Sequence, residues 1–210
     1  MPVEEALGGL PRAVEGPEPP GRRDPAWARL GAEIEACRAC PLGRSRRHVV
    51  VYRGSARPLA LFVGEAPGAE EDRLGVPFVG RSGRRLDAAV VRAGLTPSEF
   101  GVVNLVKCRP PENRFRRDAA EACRPFLDRQ VELLRPRLLV TLGAHALAAL
   151  DPGAPKVTAC AGTERRAGGR TLFPLLHPAA PLHDPRQRGR WESDLDRLRE
   201  VVGRLRDETS

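Results

Sequence analysis

The stretch LALFVGEAPGAEEDRLGVPFVG, residues 59–80, joins an apolar run to a loop rich in glycine and carboxylates. The run 59–64 is short and ends in glycine, which is typical of a buried β-strand. The loop is placed like a phosphate-binding loop, but it has no lysine and carries four carboxylates that would repel phosphate: Glu65, Glu70, Glu71 and Asp72. The stretch therefore predicts a strand that delivers its loop to a ligand other than phosphate.

Outward from this stretch, apolar runs alternate with amphipathic segments. Strands are predicted at 48–52, 59–64, 102–106, 137–143 and 171–177, the last with Pro174 at an edge or strand-end position. Helices are predicted from the start signal Asp24–Pro25, at 79–93, 118–134 with a break or kink at Pro125, 144–150 and 190–206, and a short helical turn at 96–99. This alternation predicts an α/β fold with a mainly parallel sheet covered on both faces.

Three unusual loops follow predicted strands, at 64–78, 107–117 and 177–185. In open parallel sheets, ligands bind beyond the carboxyl ends of the strands. We therefore expect the functional site to be built from these three loops.

The composition is basic, with a formal net charge of +8, although only two of the 35 basic residues are lysine. This charge favours a nucleic-acid partner only weakly, because so complete an arginine bias also reflects codon composition. Residues 1–23, rich in proline and glycine, predict a disordered tail before a single domain over 24–210. No apolar run reaches 18 residues and no signal peptide is evident, so we expect a soluble cytoplasmic protein without a membrane partner.

Four of the five cysteines form two groups, Cys37 with Cys40 and Cys108 with Cys123. Four thiolates from two distant segments can enclose either an iron–sulfur cluster or a tetrahedral zinc ion. The spacing favours a metal over four free thiols but leaves cluster and zinc open. Cys160 has no partner in this scheme and is predicted to be a small buried residue.

The motifs CRACPLG, GEAPGAEED, GVPFVGRSG, NLVKCRPPENR, VTLG and HPAA occur in order, with a cysteine fifteen residues after Cys108. In this combination the chain resembles the family 4 uracil-DNA glycosylases, the iron–sulfur branch of that superfamily, over about residues 30–205. The resemblance implies a three-layer α/β/α fold and hydrolysis of the uracil N-glycosidic bond in DNA. It also implies a [4Fe–4S] cluster on Cys37, Cys40, Cys108 and Cys123, with a structural or DNA-positioning role.

Excision of a base requires that the nucleotide be flipped out, its base stacked and its polar edge read. Phe78 is the predicted stacking platform, with an ordinary core phenylalanine as the alternative. Asn104 is predicted to accept a hydrogen bond from uracil N3–H and to donate one to O4, a pattern that cytosine reverses. An asparagine within VVNLV is disfavoured in a strand, which favours a functional role over a structural one.

Cleavage leaves a positively charged sugar and a uracil anion, and both need stabilisation. The resemblance implies that His177 donates a hydrogen bond to uracil O2. Glu65 is the candidate that orients the attacking water and faces the sugar charge. The backbone amides of Ala66, Pro67 and Gly68 are expected to contact the base. Of the three carboxylates that follow, only Asp72 is a candidate for direct involvement, and the default for all three is a solvated segment.

The segment HPAAPLHDPRQRGR resembles the loop that enters the minor groove, which assigns DNA contacts to Pro178, Arg186 and Arg188, with Arg114 extending the patch. Two departures from the family pattern lie there: FRR follows ENR, and His183 stands where arginine is usual. Both put duplex affinity and mismatch preference in doubt. A related branch traps DNA covalently through a histidine after the asparagine strand, but this chain has no histidine between His48 and His145, so turnover is expected.

We therefore expect a monomeric enzyme acting on uracil in single- or double-stranded DNA, associated with the nucleoid. The 1–23 tail is a candidate recruitment segment for a partner such as a sliding clamp. The alternatives are an iron–sulfur damage sensor of the same fold with little activity, and an electron-transfer protein. Neither alternative needs a pocket that contains Glu65, Asn104 and His177.

Overall fold

A computed structural model describes residues 24–208, without the side chains of Leu182 and His183. The predicted tail over 1–23 and its clamp partner lie outside the described residues. The first helix begins as predicted, because Asp24 Oδ1 accepts hydrogen bonds from the amides of Ala26 and Trp27 at 2.9 and 3.4 Å.

Six strands and the helices around them form the domain. The strands are β1 (Arg53–Gly54), β2 (Ala60–Gly64), β3 (Phe100–Asn104), β4 (Leu138–Leu142), β5 (Arg165–Ala167) and β6 (Arg170–Leu175). The helices are α1 (Pro25–Ala36), α2 (Leu42–Ser45), α3 (Ala69–Leu74), α4 (Arg81–Arg92), α5 (Arg117–Leu134), α6 (Ala144–Leu150), α7 (Val157–Cys160), α8 (Ala180–His183) and α9 (Arg188–Asp207). Short 3₁₀ turns lie at Pro111–Asn113 and Pro185–Gln187.

The strands form one sheet in the order β1-β3-β2-β4-β6-β5. The four inner strands run parallel, and the two short edge strands pair antiparallel with their neighbours. The prediction of a mainly parallel sheet is confirmed. Parallel strands place their carboxyl ends at one edge, so the loops after β2, β3 and β6 meet there.

Alternate strand residues face opposite layers, as the two-residue period of a strand requires. Phe62 and Phe173 face a core shared with α4 and α9. Leu61 and Leu139 face a second core shared with α1 and α5. This arrangement confirms the three-layer α/β/α architecture. No helix in the described part of the chain combines the length and apolar character needed to cross a bilayer.

The predicted strand at 48–52 is wrong. Pairing with β3 begins only at Arg53, opposite Val102. Before that point the chain runs past the end of β3, where the Val50 amide donates to Lys107 O at 2.9 Å and Val51 O accepts from the Gln130 side chain at 2.8 Å. Isolated hydrogen bonds of this kind satisfy the backbone N–H and C=O groups of the segment, which therefore does not need to pair as a strand.

Short strands, prolines and short helices account for the other differences. The edge strands β1 and β5 were not predicted. Pro125 lies inside α5, which is assigned as one helix across the predicted break or kink. Pro174 lies near the end of β6, as predicted, where the strand pairs with β4 but its pairing with β5 has already stopped at Leu172. Residues 96–99 form the predicted turn, in which the Glu99 amide donates to Thr96 O at 3.0 Å. The short helices α2, α3, α7 and α8 were not predicted.

Candidate active site

A cleft of about 630 Å³ lies at the carboxyl edge of the sheet. All three predicted loops line it, and its wall includes Glu65–Glu71, Phe78, Asn104, Pro110, Asn113, His177 and Ala179. Its volume is in the range of small-molecule sites. The topology therefore brings the predicted base-binding and catalytic residues into one concave surface.

Asn104 is the last residue of β3 and is 1% exposed. Its Oδ1 has no hydrogen-bond partner among the described residues. A buried amide oxygen without a partner costs free energy, of the order of 1–3 kcal/mol. Because Asn104 lines the cleft, the unsatisfied oxygen would gain a partner if a ligand donated a hydrogen bond there.

Phe78 stands beside Asn104 and adopts a positive φ of 55°, which is uncommon for a bulky residue. It is 6% exposed, belongs to the α4–α9 core and also lines the cleft. The two predicted roles, core residue and cleft wall, are thus combined in one side chain. Gly83 on α4 lets the helix approach this strained backbone, since a Cβ there would lie 1.9 Å from Phe78 O.

His177 follows β6, and its ring centroid lies 6.1 Å from that of Phe78. Its Nδ1 accepts a hydrogen bond from the Ala179 amide at 3.1 Å. An accepting Nδ1 means that the neutral ring carries its hydrogen on Nε2. The backbone thereby selects the tautomer in which Nε2 is a donor.

Glu65 follows β2 directly, and its side chain is 30% exposed at the edge of the cleft. Its Oε2 lies 2.6 Å from Nδ1 of His145, the second residue of α6. Sequence reasoning did not anticipate this partner.

The three residues after Glu65 differ in what their backbone can donate. Pro67 has no N–H, and the Gly68 amide donates to Glu71 Oε2 at 3.1 Å. The expectation that all three amides contact a base is therefore corrected, and Ala66 is the candidate donor among them.

Glu71 connects the two ends of the 64–80 loop. While its Oε2 accepts from the Gly68 amide, its Oε1 accepts from the amides of Val79 and Gly80 at 2.9 and 2.8 Å. Asp72 is buried away from the cleft, where its Oδ1 accepts from the Arg47 amide at 3.0 Å. Of the three carboxylates after Glu65, the structure thus points to Glu71, not Asp72, as the one that shapes the site.

The four cysteines Cys37, Cys40, Cys108 and Cys123 line a separate cavity next to the second core, between α1, the loop after β3 and α5. Cys37 caps the end of α1, and Cys123 lies on α5. Cys108 lies in the loop after β3, within the predicted loop 107–117. The donor set is therefore brought together in space from segments that are distant in sequence.

Two cations border this cavity. Arg46 Nη1 donates to Cys108 Sγ at 3.1 Å, and the Lys107 ammonium donates to Asn104 O at 2.5 Å. Burial lowers the pKa of Lys107 to about 8 and raises the pKa values of the Cys108 and Cys123 thiols. Positive charge beside buried sulfurs suits a thiolate-bound, net negative group. The residues present therefore fit an iron–sulfur cluster.

Comparison with known proteins agrees with this geometry. The model of the uracil DNA glycosylase superfamily matches residues 51–199. The chain belongs to the uracil-DNA glycosylase superfamily. It is 37% identical to a type-4 uracil-DNA glycosylase of Saccharolobus solfataricus, with 82% of this chain and 85% of that protein covered. It is 39% identical to the type-4 enzyme of Thermotoga maritima, covering 74% and 82%.

A type-5 uracil-DNA glycosylase of Mycobacterium leprae is 32% identical, with 56% of this chain and 66% of that protein covered. The type-4 members of the superfamily thus match over more of the chain than this type-5 member.

The residues that were assigned to DNA lie outside the cleft wall. Arg114 pairs with Glu112 at 3.0 Å, and Arg186 pairs with Asp184 at 2.9 Å, and both arginine side chains are largely exposed. Arg188 is exposed, whereas Pro178 is buried between two cleft residues. An ion pair at the surface contributes little free energy in water. An exposed arginine can therefore exchange its carboxylate partner for a phosphate.

Sequence reasoning missed two site residues, Glu71 and His145. For Glu71 a signal existed: an acidic residue three positions after a glycine at a helix start is typical of a capping arrangement. For His145 there was none, because its contact with Glu65 joins residues 80 positions apart.

Proposed function

We propose that this chain binds a [4Fe–4S] cluster and excises uracil from DNA through Glu65, Asn104, Phe78 and His177. The observation that carries the proposal is the buried Oδ1 of Asn104, which has no partner among the described residues and lies beside the Phe78 ring. Uracil supplies what this corner lacks, an N–H donor on a flat ring. Cytosine presents an unprotonated N3 at the same position and would leave the oxygen unsatisfied.

The reaction that this geometry supports is hydrolysis at C1′ of the flipped nucleotide. The C1′–N1 bond breaks with its electron pair on uracil, and a water molecule oriented by Glu65 forms the new C1′–O bond. The water proton passes to the Glu65 carboxylate. The charge that develops on uracil O2 is met by a hydrogen bond from His177 Nε2, in the tautomer favoured by the Ala179 amide.

Cys37, Cys40, Cys108 and Cys123 would hold the cluster, which when bound would cross-link α1, the loop after β3 and α5. Within 24–208, no three side chains of the metal-binding types are arranged to hold a single ion. The cluster is proposed over zinc because the chain is similar to type-4 enzymes, the iron–sulfur branch of the superfamily. Lys107 links this region to the base-reading residue, because it neighbours Cys108 and donates to Asn104 O.

DNA binding would come from the net charge of +8, with Arg114 and Arg186 exchanging their carboxylate partners for phosphates and the exposed Arg188 adding a further phosphate contact. The substrate would be uracil in single- or double-stranded DNA, bound by a monomer in the cytoplasm at the nucleoid.

The test is incubation of the purified chain with uracil-containing oligonucleotides, as single strands and opposite adenine or guanine, scored for abasic sites. Glu65→Gln is the matched variant, since it keeps the size of the side chain and removes its charge. Release by the wild type and a loss in the variant support the proposal. No release above background from any substrate would contradict it and favour the damage-sensor alternative.

A further inference from the structure

A histidine outside the predicted site contacts the proposed water-orienting carboxylate. His145 Nδ1 lies 2.6 Å from Glu65 Oε2. The two residues leave neighbouring parallel strands, Glu65 directly after β2 and His145 on the first turn of α6 after β4. The contact is thus fixed by the sheet, not by two flexible surface loops.

The tautomer of His145 follows from its partner. An ionised carboxylate only accepts hydrogen bonds, so Nδ1 must be the donor. A neutral His145 therefore carries its hydrogen on Nδ1, the opposite tautomer to that of His177. His177 can therefore donate from Nε2, whereas His145 donates from Nδ1.

Phe115 holds the His145 ring in place. The two rings stack with centroids 3.8 Å apart and planes 9° from parallel. The stack restricts the rotation of an otherwise half-exposed imidazole, whose side chain is 47% accessible. Phe115 is one of the residues of FRR, where the sequence departs from the family pattern.

We infer that His145 is a positioning residue that fixes one oxygen of Glu65 so that the other, Oε1, is presented to the attacking water. A carboxylate on a flexible glutamate side chain at a cleft edge otherwise rotates among rotamers, and each unproductive orientation lowers the fraction of productive complexes. The inference rests on the proposed function, and it adds His145 and Phe115 to the machinery that acts on C1′.

Two substitutions separate the hydrogen bond from the stack. His145→Asn keeps an N–H donor near the position of Nδ1 and loses the ring. His145→Phe keeps a ring against Phe115 and loses the donor. Single-turnover rates of uracil release and dissociation constants for the same DNA are measured for both variants, alone and in the Glu65→Gln background.

The inference predicts that His145→Phe lowers the single-turnover rate about 10-fold, as for the loss of one charge-assisted hydrogen bond, with DNA affinity within about twofold. His145→Asn recovers most of the rate. In the Glu65→Gln background His145→Phe has little further effect, because the two residues act as one unit. A wild-type rate for His145→Phe, equal losses in both variants, or additive losses would each overturn the inference.

A spectroscopic readout distinguishes this inference from the proposed function. In ¹⁵N-edited NMR, at a pH that keeps the ring neutral, His145 should appear as the Nδ1–H tautomer in the wild type and shift toward Nε2–H in Glu65→Ala. A wild-type ring in the Nε2–H form would contradict the inference even if uracil is released. Absence of uracil release with the Nδ1–H tautomer present would contradict the proposed function alone.

Discussion

Gly64 and Asn104 are paired across the parallel strands β2 and β3. A Cβ atom on Gly64 would lie 2.4 Å from Asn104 Oδ1 and 2.6 Å from two ring atoms of Phe78. Both distances are far below van der Waals contact. The glycine at the end of β2 therefore leaves room for these two side chains, because a larger residue there would displace them from the corner that is proposed to bind the base.

Gly64→Ala should abolish this corner while leaving the rest of the domain folded. We expect the rate of uracil release to fall about 100-fold or more, which corresponds to ~2.7 kcal/mol of lost transition-state stabilisation. Gly31→Ala is the matched control, since a Cβ at that helical position meets nothing within 4 Å. Wild-type activity in Gly64→Ala would show that uracil does not bind beside Asn104.

Asn104→Asp keeps the shape of the side chain but removes its N–H donor. An ionised carboxylate cannot donate to uracil O4, so the rate of uracil release should fall about 100-fold or more. Preference for uracil over cytosine in the same oligonucleotide should weaken as well. Unchanged selectivity would contradict the role assigned to this residue.

Cys123→Ala should remove the absorbance at roughly 400 nm that iron–sulfur charge transfer produces. Cys160→Ala is the control, because Cys160 lies outside the four-cysteine cavity and donates weakly to the oxygens of Pro155 and Lys156. It should keep the absorbance. Metal analysis that finds zinc in place of iron would refute the cluster assignment.

Glu71→Gln should loosen the loop that carries Glu65. The two oxygens of the carboxylate accept three backbone hydrogen bonds. In glutamine an NH₂ group replaces one of these oxygens and cannot accept the hydrogen bonds made there. We expect about a 10-fold loss of uracil release, equivalent to ~1.4 kcal/mol. Glu70→Gln, an exposed neighbour paired with Arg73, should have little effect. Equal behaviour of the two variants would count against a special role for Glu71.

Glu99 ties the start of β3 to α9 and should contribute stability that depends on pH. The Arg206 guanidinium is the main cause that lowers the pKa of Glu99 from 4.5 to about 2. Because the folded pKa is depressed, the contribution is present above about pH 4.5 and is lost as the pH falls toward 2.

The matching variant is Glu99→Gln. Allowing for solvent screening of this partly exposed pair, it should cost about 1 kcal/mol at neutral pH and lower Tm by about 2–4 °C. The difference in Tm between wild type and variant should shrink below pH 4.5. A difference that is constant down to pH 3 would show that the ion pair is not its source.

The strands and the site-facing loops could be predicted because periodicity and chain order decide them. The run 59–64 is apolar throughout, and a parallel sheet then fixes where its loop emerges. Asn104 was identifiable because a polar residue in an apolar strand conflicts with local propensity. The same reasoning failed at 48–52, where an equally apolar run meets the end of β3 and finds only isolated hydrogen bonds.

Contacts between distant residues were beyond sequence reasoning. The His145–Glu65 hydrogen bond and the Phe115 stack depend on how α6 approaches the loops after β2 and β3. The Lys107–Asn104 contact lies within one short segment, but only the fold buries that ammonium group. A single sequence does not encode such approaches in any local pattern.

The most direct test of the central claim is mass-spectrometric detection of the free base after one turnover on an oligonucleotide that contains uracil, cytosine and thymine. The account predicts that wild-type protein releases uracil alone, and that Asn104→Asp releases far less of it. Intact uracil-containing DNA with fully folded, cluster-loaded wild-type protein, or release of cytosine at a comparable rate, would contradict it.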